Sequence, residues 1–131
     1  MTCCSDSAIR IAGGRAAGGE ARAAAYARLS DDLDSDRLRT FQLLLSEVVN
    51  NSVIHGGVDE GGWIELTFLT DADRVRCEVR DSGLQGEPQP REPDYDNGGG
   101  FGLFLVDSMA ERWGVDRSTR LTVWFELDRS G

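Results

Sequence analysis

The stretch Leu43 to Gly57, LLLSEVVNNSVIHGG, constrains this chain more than any other. With the residues before it, it places Leu38, Phe41, Leu44, Leu45, Val48 and Val49 at i, i+3, i+4, i+7 spacing. That is an amphipathic helix whose apolar stripe needs a second layer to cover it. A polar row interrupts the pattern. Glu47, Asn51 and His55 recur every four residues along one edge of the helix, roughly 40° apart in projection. A carboxylate and a carboxamide beside an apolar stripe are costly unless they have partners or work to do. One offers an ionised oxygen and the other a neutral acceptor, a pair suited to holding a hard cation and orienting a hydroxyl or water. A solvated helix edge has the same spacing, so the pair takes its meaning from two later stretches.

A length of 131 residues argues for one domain spanning 1–131, with a core over about residues 8–127 and a loose N-terminus over 1–7. The balance of 40% hydrophobic and 28% charged residues is that of a soluble globular protein. No apolar run approaches the ~20 residues of a bilayer span. The opening MTCCSDSAIRIAGG lacks an apolar signal core, so a cytoplasmic setting is expected. Cys3, Cys4 and Cys77 are too few for a disulfide framework or a zinc site; Cys77 reads as a small core residue. A net charge of -9 opposes phosphate backbones, so direct nucleic-acid binding is not expected. Any nucleotide has to be held by a local device.

Along the chain, Ser7–Ala12 alternates as a short strand and Gly19–Leu29 is rich in helix formers. Arg22 and Arg28 are expected on the exposed side of that helix. Asp34 or Ser35 caps the long helix, and Gly56 and Gly57 stop it. His55, the only histidine, sits in the last turn, where a structural role is the simpler reading. Trp63–Leu69 and Arg74–Asp81 form a hairpin around Thr70-Asp71-Ala72-Asp73. Ile64, Leu66 and Phe68 share one face of the first strand; Val75, Cys77 and Val79 share one face of the second. Asp81 continues that inward register, and a carboxylate at the end of a core face is a site candidate. Ser82 and Gly83 turn the chain, and Gly83 lets a flat ligand approach the backbone.

Residues 85–97 hold all three prolines and read as an irregular loop. The loop runs into Gly98-Gly99-Gly100-Phe101-Gly102 and then a helix over Leu103–Arg112, closed by Trp113-Gly114-Val115. Glycines feeding a helix N-terminus present free N–H groups to an anion, although a flexible linker has the same composition. Arg120–Leu127 is a final strand with Leu121, Val123, Phe125 and Leu127 on one face. The expected fold is α+β: a two-layer sandwich with helices on one face of a mixed, mostly antiparallel sheet.

The three polar stretches together resemble the GHKL (Bergerat-fold) ATPase superfamily of gyrase, Hsp90 chaperones, histidine kinases and MutL. Glu47 and Asn51 match its first motif, Asp81-Ser82-Gly83 its second, and Gly100-Phe101-Gly102-Leu103 its glycine motif at the end of an ATP lid over about residues 85–100. SEVVNNSVIHG and GLFLVDSMAERWGV…TVWFEL look most like bacterial anti-sigma factors with serine-kinase activity. The resemblance implies ATP and Mg²⁺ as cofactors. Asn51 supplies an oxygen to Mg²⁺, and Glu47 acts as the catalytic residue on an attacking serine hydroxyl. Asp81 recognises adenine, Gly83 passes beside the ring, and Gly98, Gly100 and Gly102 hold phosphates through backbone N–H groups. It further implies a sigma factor and a STAS-type anti-anti-sigma protein as partners, and a homodimer as a possible assembly. Phe101 replaces a position that is often basic in this branch, Phe104 one that is often glycine in the wider superfamily, and Arg120-Leu121-Thr122 stands where Gly-Lys-Thr is common. Thr122 falls on the face opposite Leu121 and Val123, so it is not assigned to the pocket. These departures leave a second function open, a nucleotide-gated protein-binding regulator with little or no phosphotransfer. A scaffold that binds no nucleotide requires all three motifs to be coincidence.

Overall fold

In a computed structural model of the chain, the residues described are 5–54, 57–82, 103–116 and 122–129. The elements are β1 (Ser5–Ala12), α1 (Ala17–Leu29), α2 (Ser35–Ile54), β2 (Trp63–Thr70), β3 (Arg74–Asp81), α3 (Leu103–Met109), β4 (Arg112–Asp116) and β5 (Thr122–Asp128). The five strands form one open sheet in the order β1-β2-β3-β5-β4. All four pairings are antiparallel, so the sheet is more uniform than the mixed one expected. The helices cover one face, which makes this the expected α+β two-layer sandwich.

The long helix forms for the reasons its sequence supplies. Asp34 is its N-cap: the Asp34 Oδ1 accepts the Arg37 N–H at 2.8 Å. All six apolar stripe residues, Leu38, Phe41, Leu44, Leu45, Val48 and Val49, are buried. Phe41 packs on the helix-covered face of the sheet astride β3, 5.0 Å from the Phe125 ring on β5 and 6.2 Å from Phe68 on β2. Between them Cys77 is fully buried, and burial pushes its thiol far above the ordinary range. α1 packs against α2 through small residues, Ala17, Gly18, Ala21 and Ala25, with Leu29 closing the row. The β2–β3 turn is held by Asp71, whose Oδ1 accepts the N–H groups of Asp73 (2.8 Å) and Arg74 (2.9 Å). Those bonds hold its carboxyl below the usual carboxylate range.

Two local expectations change. The helix expected to run to Arg112 ends at Met109, and Arg112–Asp116 becomes the edge strand β4. The pairing decides this. Trp113 and Val115 face the core while Arg112 points outward, where Nε and Nη2 donate to Glu126 (2.6 Å) and Asp128 (2.7 Å). Gly114 lies under Trp124, so close that a Cβ would sit 2.8 Å from the indole. Arg28 is also not free on the outer side of α1: its Nε donates to Ser7 Oγ on β1 at 2.9 Å.

The face of the sheet away from the helices is a ladder of charges. Glu65 accepts from Arg80 and Arg10; Arg76 bridges Glu78 and Glu126. Arg10 also lies over Trp63, and Arg76 over Trp124. Glu126 is 9% exposed. Burial pushes its carboxyl up, but the bonds from Arg112 and Arg76 outweigh this and hold it below its ordinary value. No helix among the described residues is long and apolar enough to cross a membrane.

Candidate functional site

The last turns of α2 and the end of β3 are linked through the segments around Gly13 and Val58–Trp63. A continuous run of hydrogen bonds joins them. Val58 N–H donates to Ser52 O in α2 (3.2 Å), and Gly14 N–H to Val58 O (3.0 Å). Gly13 N–H donates to Gly62 O (3.2 Å), and Trp63 N–H to the Ser82 hydroxyl (3.0 Å). Asn51 therefore sits directly before one terminus of this run and Asp81 directly before the other. Glycine makes the path possible. A Cβ on Gly13 would fall 2.4 Å from Asp59 O, and Gly57 takes φ 72°, where the chain turns out of the helix region.

Glu47 is half-buried on α2. Asn51, one turn on, is 9% exposed, and its Nδ2 is buried without a hydrogen-bond partner among the described residues. Whichever way the amide is turned, one of its polar atoms faces the same unpaired position. Leaving such a group unpaired costs about 1–3 kcal/mol, so its presence beside the apolar stripe calls for a partner. Asp81 stands opposite Ile64 at the last rung of the β2–β3 ladder, in the inward register of Val75, Cys77 and Val79. It is partly exposed, so its carboxylate can reach a ligand. Leu103 and Val106 of α3 are buried where that helix packs along α2. The Gly83, Gly98, Gly100 and Gly102 expectations, and the His55, Cys3 and Cys4 readings, lie outside the described residues.

Sequence reasoning missed three contributors, namely Gly13, Gly62 and the Ser82 hydroxyl. A dense run of glycines, Gly56-Gly57 and Gly61-Gly62 around Val58-Asp59-Glu60, was the available signal. It marked close backbone approach without saying to what.

This geometry has a counterpart among known families. The model of the histidine kinase-like ATPase domain matches residues 15–126. The chain therefore belongs to the histidine kinase-like ATPase domain family, within the GHKL superfamily. No curated protein matches it. Members of this family bind ATP, and the residues present fit that ligand. A buried carboxamide with one polar atom unpaired among the described residues lies on α2 with a carboxylate one turn before it, and a partly exposed carboxylate ends β3 across the glycine-lined junction.

Proposed function

We propose that this chain is an ATP-dependent serine/threonine protein kinase that acts as an anti-sigma factor in the cytoplasm. Its substrate is a STAS-type anti-anti-sigma protein, and the sigma factor is its second partner. One observation carries the reading. Glu47 and Asn51 stand one turn apart beside the apolar stripe, and the buried Asn51 amide has a polar atom with no hydrogen-bond partner among the described residues. When bound, Mg·ATP would supply the γ-phosphoryl group and leave as ADP, with the cation neutralising phosphate charge. Phosphoryl transfer asks the protein mainly for positioning and charge stabilisation. Asn51 offers a neutral oxygen to the cation, Glu47 accepts the proton of the substrate hydroxyl, and Asp81 accepts from the adenine amino group. The glycines at 98, 100 and 102 offer backbone N–H groups to the phosphates, and Gly83 lets the ring lie against the chain. Among the described residues no cluster of three or more His, Cys, Asp or Glu is placed to hold a metal. Magnesium bound with phosphates and water needs few protein oxygens, and Asn51 is one.

The test is phosphate transfer from ATP to a purified STAS-type substrate, with wild type beside Glu47→Ala. Transfer that falls at least a hundredfold in the variant supports the kinase reading. A variant as active as wild type overturns it. A second reading, a nucleotide-gated binding module with little transfer, is favoured by Thr122. It pairs with Arg80 and Asp116 on the outer face of the sheet, on the opposite side from the helices. ATP-dependent partner capture without transfer would select that reading.

A further inference from the structure

The junction that joins α2 to β3 contains a side chain doing a backbone's job. In a continued antiparallel ladder Trp63 and Ser82 would exchange two backbone hydrogen bonds. Only one is present: the Ser82 N–H donates to Trp63 O at 3.0 Å. The Trp63 N–H instead donates to the Ser82 hydroxyl, also at 3.0 Å. The hydroxyl satisfies the first backbone donor of β2 in place of the Ser82 carbonyl, so the ladder can end at Asp81. Gly62 makes room for this arrangement. A Cβ there would stand 2.7 Å from Ser82 Oγ and 3.0 Å from Val58 Cγ1. The loop is itself anchored, with Gly62 N–H donating to Asp59 O at 2.9 Å and Gly62 O accepting from Gly13.

We infer that Ser82 is a positioning residue: its hydroxyl, seated over Gly62, ends the β2–β3 ladder and sets where the Asp81 carboxylate meets the nucleobase. This rests on the reading of this end as the ATP site. It assigns base selectivity to the pair Ser82–Gly62 in addition to Asp81. An adenine presents a donor amino group where guanine presents a carbonyl oxygen, so a displaced carboxylate loses adenine contacts while phosphate contacts persist. Removing the hydroxyl should therefore narrow the preference for ATP over GTP. A general loosening of the fold should weaken both nucleotides alike.

The experiment measures Mg·ATP and Mg·GTP affinity for wild type, Ser82→Ala, Ser82→Thr and Gly62→Ala. Amide hydrogen exchange at Trp63 is followed in the nucleotide-free proteins. In Ser82→Ala the ATP preference should narrow about tenfold, and the Trp63 amide should lose protection. Ser82→Thr, which keeps the hydroxyl, should restore both. Gly62→Ala, which crowds the hydroxyl, should follow Ser82→Ala. Wild type that binds ATP while Ser82→Ala keeps its preference within twofold, or loses both nucleotides equally, overturns the inference alone. Wild type that binds neither nucleotide overturns the ATP reading and the inference with it.

Discussion

At the end of the sheet where β2 turns into β3, arginines close the structure. Arg129 donates to Asp71 O (2.7 Å) and to Asp32, and its N–H to Asp73 O (2.8 Å). Arg37 donates to Asp128 O at 2.9 Å, and Arg112 spans Glu126 and Asp128. At the opposite end the ties are backbone and hydroxyl bonds through glycines, and the buried Asn51 amide has an atom with no partner among the described residues. The first end satisfies its polar groups with its own side chains. The second carries, among the described residues, one buried polar atom with no protein partner, at a cost to stability that binding sites commonly carry. The contrast separates the residues that hold the fold from those that use it.

Substitutions at the two ends should act on different properties. Glu47→Ala should show the largest effect, a loss of roughly 10²–10⁴ in phosphate transfer, while a urea melt stays within about 0.5 kcal/mol of wild type. Asn51→Leu should weaken Mg·ATP binding at least tenfold yet leave the melt unchanged or raise stability by about 1 kcal/mol, since it removes a buried amide with an atom unpaired among the described residues. A marked loss of stability would mean the amide is structural. At the closed end the signs reverse. Asp34→Ala removes the cap of α2 and should cost about 1 kcal/mol without changing nucleotide affinity.

The smallest effect concerns pH. The carboxyl of Glu126 lies below its ordinary value of 4.5 in the folded protein, as does that of Glu65, held chiefly by Arg80. Stability from these groups is complete above the ordinary value and is lost as pH falls through the lowered folded values. Urea midpoints should be level from pH 7 to about 5 and decline below 4.5. In Glu126→Gln that acid decline should be shallower. An identical acid limb in the variant would remove Glu126 from the account.

Which of these features the sequence disclosed follows from their range along the chain. α2 was legible because six apolar residues at helical spacing leave one way to bury them. β2 and β3 were legible from their alternation and the Asp-rich turn. β4 was hidden because Ala110-Glu111 continues a helical composition and only five residues then pair, with Gly114 placed by Trp124, ten residues on. Arg28 looked exposed on its own helix, yet its partner Ser7 lies on β1. Glu126 drew no notice in its strand pattern, and only the converging arginines show why it is buried. At the site, Glu47 and Asn51 share one helix, so their relation was written in local spacing. Ser82 and Gly62 are brought together by pairing between strands, which spacing does not reveal.

The most direct test of the division between the two ends is calorimetric titration of Mg·ATP into wild type, Asn51→Ala, Asp81→Asn and Arg129→Ala. The account predicts magnesium-dependent binding by wild type, a loss of at least about tenfold (~1.4 kcal/mol) in the first two variants, and wild-type affinity in Arg129→Ala. No binding by wild type, or binding indifferent to both Asn51 and Asp81, would contradict it.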